Sequence, residues 1–121
     1  MSAFETVLTF DWPRPPLTAN QRLHWRKKAD ITRKVRRAAT LLARDVPTLD
    51  KITVDLAWVV NTKHRRDVDN LVPTLKALCD GLVDADIVPD DTPEFMSKTM
   101  PTIRYEPASV AHLELTIRER P

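Results

Sequence analysis

The chain has 121 residues, 42% of them apolar and 30% charged, and its 19 Lys/Arg against 17 Asp/Glu leave a net charge of +2. That length supports one core, so a single domain over 1–121 is expected. No apolar run approaches the ~20 residues that cross a bilayer, and the N-terminus lacks a signal-peptide h-region, so neither a membrane-spanning helix nor export is expected. The one cysteine, Cys79, excludes an internal disulfide and fits a reducing cytoplasm. With no second cysteine and His24, His64 and His112 scattered, a structural zinc site is not expected.

The first strand is predicted over Thr6–Trp12, where Leu8, Phe10 and Trp12 alternate with Thr9 and Asp11. Pro13, Pro15 and Pro16 end it, because proline has no N–H for a ladder. A long helix follows over Gln21–Arg44, with Ile31, Val35, Ala38 and Leu42 on one face and many cations elsewhere. Ile52, Val54, Leu56, Trp58 and Val60 alternate in a second strand over 52–60, and Asn61–Arg66 forms a basic turn. A second helix spans Asn70–Asp84, with Leu71, Leu75, Leu78 and Leu82 along one side. Pro73 fits only its first turn, which makes Asp69 or Asn70 the natural N-cap. A loop over Asp86–Pro93 leads to two closing strands, Phe95–Tyr105, interrupted at Pro101, and Val110–Arg118. The order β-α-β-α-β-β describes an α/β (α+β) protein with one small mixed sheet covered by two helices.

Charge is segregated along this order. Residues 1–66 hold 14 Lys/Arg and 6 Asp/Glu, whereas residues 67–121 hold 5 and 11. Basic clustering is an electrostatic footprint for nucleic acid. The acidic half would repel a phosphate backbone unless a cation intervened, although solvated faces can also segregate by sign. The acids concentrate in Asp67-Val68-Asp69-Asn70-Leu71, directly after Lys63-His64-Arg65-Arg66, and in Asp90-Asp91, fifteen residues beyond Lys76 at the latter's second aspartate.

Carboxylates are hard ligands, and Mg²⁺ takes one or two of them while keeping water or phosphate oxygens at its other positions. If the chain is extended at its entry to the helix, Asp67 and Asp69 point to one side and can share an ion. Lys76 stands two turns after Asp69, on nearly the same face. Each feature also has a plainer explanation. Asp67 or Asp69 can cap the helix, Asp90-Asp91 can be an exposed turn, and Lys76 can be a solvated helix residue. A calcium loop of EF-hand type begins with the same letters but needs Gly and Glu where Val72 and Leu78 stand. A phosphotransferase with a D-x-D after a strand fits less well, because the acids here follow a basic turn. Cys79 reads as buried packing, Trp12 and Trp58 as core, and Trp25 as a partly buried helix residue or a base-stacking one.

Arg66-Asp67-Val68-Asp69-Asn70-Leu71 with Lys76, Asp80 and Asp90-Asp91 resembles the signature of the RusA family of Holliday junction resolvases. Trp12-Pro13 through Pro15-Pro16 to Asn20 is loosely similar to that family's N-terminal motif. The spacing from Asn70 to Lys76 is longer than in the best-known members, by close to one helical turn. The resemblance implies a RusA-like fold and a Mg²⁺ cofactor, with Mn²⁺ as a substitute. Asp67, Asp69 and Asp91 would be its ligands and catalytic carboxylates, Asp90 a supporting ligand, and Lys76 a charge near the scissile phosphate. It further implies a homodimer acting on branched DNA (a four-way junction) in bacterial or phage-infected cytoplasm. Lys63, His64, Arg65 and Arg66 in the turn, with Asn20, Arg26, Lys27 and Lys28, are the expected DNA-binding residues. Another branched-DNA or flap nuclease, and a non-catalytic DNA-binding protein, remain open beside it.

Overall fold

A computed structural model describes residues 3–121. The elements run β1 (Glu5–Phe10), α1 (Trp25–Leu42), β2 (Ile52–Val60), a 3₁₀ turn (Val68–Leu71), α2 (Val72–Asp84), β3 (Met96–Lys98), β4 (Thr102–Tyr105) and β5 (His112–Glu119). This is the small α/β class expected, one mixed five-stranded sheet with two helices. The segment predicted as one strand over 95–105 is two, because Pro101 cannot donate to the ladder.

β2 is central. It pairs antiparallel with β5, which pairs antiparallel with β1, and its other edge takes β3 and then β4, both parallel. From Val54↔Lys98 to Ala57↔Thr102 the edge uses one more residue than β2, so the surplus is absorbed around Pro101. Alternation buries Ile52, Val54 and Leu56 of β2 with Leu113, Leu115 and Ile117 of β5 in the core that the helices close. The opposite sheet face is polar. Arg118 bridges Asp55 and Glu5 there, and Arg104 bridges Glu106 and Glu114.

α1 begins at Trp25, four residues later than predicted, because the residues before it satisfy one another. Thr18 N–H donates to Gln21 Oε1 at 3.0 Å, and the His24 Nδ1 accepts from the Arg26 N–H at 3.2 Å as an N-cap. The buried stripe is also rotated. Val35 and Ala39 are buried with Ile31 and Ala38 flanking, while Leu42 is 44% exposed. α2 crosses at Gly81, where a Cβ would lie 2.4 Å from the Arg36 carbonyl oxygen and 2.7 Å from the Ala39 Cβ. The Thr40 hydroxyl donates to the Gly81 carbonyl at 2.8 Å, and Arg36 forks onto Asp84 at 2.9 and 3.1 Å. No helix among the described residues is long and apolar enough to cross a membrane.

Candidate functional site

The acidic segment lies at the entry to α2, but its geometry differs from that predicted. Asp67 is extended (φ −104°, ψ 127°) and its carbonyl accepts the Asn70 N–H at 3.2 Å, opening the 3₁₀ turn. Asp69 already belongs to that turn, so the two aspartates are not successive same-side residues of an extended strand. Leu71, rather than Asp69 or Asn70, precedes the α-helix proper, with Pro73 in its first turn where a missing N–H costs nothing. Capping therefore does not consume the acids. Asp67 makes no side-chain cap bond, and among the described residues both carboxylates are exposed and without a hydrogen bond or ion pair.

Asp67 and Asn70 open onto a cavity of about 330 Å³ whose other walls include Arg14, Gln21, Trp58, Arg65 and Arg66. The proline-rich segment reaches this place because of one buried hydroxyl. Thr74, fully buried on α2, accepts the Leu17 N–H at 3.1 Å and donates to the Leu17 carbonyl at 2.7 Å. Trp58 holds the same segment, its indole N–H donating to the Pro13 carbonyl at 3.0 Å.

Arg66 folds the basic turn on itself. It donates to the Thr62 carbonyl and hydroxyl and to the His64 carbonyl, at 3.0, 2.8 and 3.1 Å, and lies 5.1 Å from the Trp58 ring centroid. Of the predicted DNA-binding cations, Arg66 thus has most of its donors engaged within the turn. Arg65 faces the cavity, Lys63 lies over the Tyr105 ring at 5.0 Å, and His64 is exposed. Asn20 is exposed and accepts from the Thr18 hydroxyl at 2.9 Å, and Arg26, Lys27 and Lys28 are exposed along the first turn of α1.

The second acidic place is built on Lys76. Its ammonium lies 2.8 Å from Asp80 Oδ1 and 2.5 Å from Asp91 Oδ2, and Lys98 reaches the same Asp91 oxygen at 3.2 Å. The Lys76 hydrogen bond, with Lys98 beside it, holds the Asp91 carboxyl far below the usual carboxylate range. Lys76 is pushed up in turn, first by Asp80 and then by Asp91. Asp90 accepts the Asp91 N–H at 2.7 Å and so shapes the turn. Among the described residues no three His, Cys, Asp or Glu side chains stand together as a set that could hold a metal ion. Asp67 and Asp69 on one side and Asp91 on the other are thus separate acidic places in this chain. The free carboxylates of Asp67 and Asp69 suit a Mg²⁺ that completes its shell with water or phosphate oxygens. Asp91 would have to approach them from its separate place, with both ammonium groups on its Oδ2 and, among the described residues, none on its Oδ1.

Cys79 is buried, as expected, and its thiol is pushed up to about 12 by that burial, so it is inert. Trp25 departs from the partly buried placement expected of it, being 68% exposed. Three contributors went unread in the sequence: Arg14, Thr74 and Lys98. Thr74 had a local signal, a lone hydroxyl on the apolar side of a helix. Arg14 and Lys98 had none, since long-range folding alone brings them to their partners.

No protein-family model matches the chain. Over 85 residues it is 27% identical to a protein of Xylella fastidiosa (strain Temecula1 / ATCC 700964) described as an uncharacterized protein, across 64% of this chain and 56% of that one. The chain thus spans little more than half the length of the curated relative it matches.

Proposed function

We propose that the chain is a Mg²⁺-dependent endodeoxyribonuclease that acts on branched DNA, resolving four-way junctions by paired symmetric nicks in recombination or repair. The observation that carries this reading is the exposed Asp67, its carboxylate free of hydrogen bonds among the described residues, in the wall of a cavity that it shares with Arg14 and Arg65, with a second exposed aspartate, Asp69, two residues on. Cations that attract a phosphodiester beside acids that attract a metal suit hydrolysis. Asp67 and Asp69, joined by Asp91, would hold Mg²⁺ (or Mn²⁺), which supplies phosphate polarisation and acidified water. Arg14 and Arg65 would orient the phosphodiester, and Lys76 would offset charge developing on its oxygens. Cleavage of opposed strands requires two identical sites, which a two-fold homodimer provides. The resemblance of the 66–71 and 90–91 segments to RusA resolvases favours the junction as substrate and the cytoplasm as setting.

The test is a gel assay of synthetic four-way, forked and linear duplex DNA with and without Mg²⁺. Paired cuts of the four-way substrate are expected, with Asp67→Asn and Asp69→Asn lowering cleavage by at least about a hundredfold, the order lost when a principal charge-stabilising group is removed. Binding of the junction should persist in both variants. Near wild-type cutting by either variant would overturn the assignment, and preference for forked DNA would favour a flap nuclease. One observation favours a non-catalytic DNA-binding protein instead, the ion pairing of Asp91 with Lys76 and Lys98 apart from Asp67 and Asp69. Intact binding with no Mg²⁺- or Mn²⁺-dependent cleavage would decide for it.

A further inference from the structure

Trp25 differs from the other two tryptophans. Trp12 stacks on Phe10 with ring centroids 4.8 Å apart, and Trp58 has its N–H bonded and its ring under Arg66. Trp25 stands 68% exposed at the start of α1, and its indole N–H has no hydrogen bond among the described residues. Among the described residues, only its sequence neighbours touch it in aromatic or cationic contact. His24 stacks at 5.6 Å with 28° between planes, and the Arg26 guanidinium lies 5.1 Å from the ring centroid. Lys27 and Lys28 follow, both exposed. A single exposed apolar side chain needs no explanation. An exposed indole with a histidine ring stacked on it, a guanidinium over it and two exposed lysines after it in the chain is a different object, because an aromatic ring and cationic groups stand together there.

Its position adds a second reason. Gln21 lines the cavity that holds Asp67, and four residues of chain reach at most ~14 Å. The Trp25 Cα therefore lies within ~14 Å of a residue in that cavity's wall, on the scale of a few nucleotides. We infer that Trp25 is a stacking platform for an unpaired base of the nucleic acid whose backbone occupies the Asp67 cavity, with Arg26, Lys27 and Lys28 meeting the adjoining phosphates. The inference rests on the nucleic-acid reading of that cavity and adds to it a preference for DNA with unstacked bases. A fully paired duplex keeps its base faces covered and gains nothing from the indole.

The experiment measures binding in EDTA, so that no strand is cut, by fluorescence anisotropy of a labelled single-stranded oligonucleotide and of the duplex of equal length. Wild type, Trp25→Ala and Trp25→Phe are compared after circular dichroism has established that each is folded. Trp25→Ala should weaken single-strand binding by about tenfold, leave duplex binding within about twofold, and be largely rescued by Trp25→Phe, since stacking needs a ring rather than an indole. Equal losses on both substrates, or no loss on the single strand, would overturn the platform while leaving the nucleic-acid reading in place. Failure of the wild type to bind either DNA would remove both.

Discussion

Asp91 holds one negative charge against two ammonium groups, and the balance decides what its removal does. In a pure acidic cluster, deleting one carboxylate relieves repulsion and stabilises the fold. Here Lys76 and Lys98 both lose a partner, and their side chains, 57% and 28% exposed, retain only partial solvation in exchange. Asp91→Asn should therefore destabilise at neutral pH by about 1 kcal/mol, the upper end for exposed pairs, because one carboxylate serves two cations. The pH dependence has a definite sign. The Asp91 carboxyl titrates lower in the fold than its ordinary 3.8, so its contribution is complete above that value and disappears as pH falls through the depressed folded value. Thermal unfolding of wild type and variant should differ at pH 7 and converge in strong acid. A variant more stable than wild type at pH 7 would mean that repulsion from the neighbouring Asp80 and Asp90 outweighs both lysines.

The two helices meet through a backbone contact, since Gly81 leaves no room for a side chain against Arg36 and Ala39. Alanine improves helix propensity by about 1 kcal/mol over glycine. Its Cβ would nonetheless sit 2.4 Å from a carbonyl oxygen that belongs to the α1 backbone and cannot rotate away. Overpacking of this kind costs about 1–3 kcal/mol, so Gly81→Ala should lower Tm by several degrees; an unchanged or higher Tm would show that the helices separate easily. Periodicity exposed the elements themselves well. The β2 range and the inward face of β5 followed from alternation, and the class of fold followed from their order. What it missed were interactions between partners distant in sequence. The start of α1 moved because Thr18 and Gln21 bond each other, and the stripe of α1 turned toward Ala39 because α2 offers Gly81 there. At the site, the run from Asp67 to Asn70 was readable as acidic, yet the 3₁₀ turn that separates the postures of Asp67 and Asp69 was not. Arg66 read as one more cation among four, and only the folded turn reveals its donors spent on Thr62 and His64.

Over the whole molecule, the basic half of the sequence supplies the outer face of α1 and the turn after β2, while the acids gather at the entry and exit of α2. Such a separation serves long-range attraction of a polyanion more than local pairing, because α1 cations that have ion-pair partners are few: Arg33 and Lys34 with Asp30, and Arg36 with Asp84. Lys27 and Lys28 have none among the described residues and stand on the turn that carries Trp25. If they meet phosphates, each releases close to one condensed counterion when DNA binds. Replacing both with glutamine should then reduce the slope of log K against log salt concentration by roughly 1.8 for a duplex, with little change in Tm because neither side chain is buried or bonded. Replacing Arg66 with glutamine should do the reverse, lowering Tm through loss of the turn's hydrogen bonds while changing the salt slope less. An undiminished slope in the lysine variant, measured by anisotropy from low to physiological salt, would move the backbone contact from α1 to the Arg14 and Arg65 side of the cavity. In that event the charge on α1 would act by steering DNA toward the site before contact, an effect read in association rate rather than in counterions released.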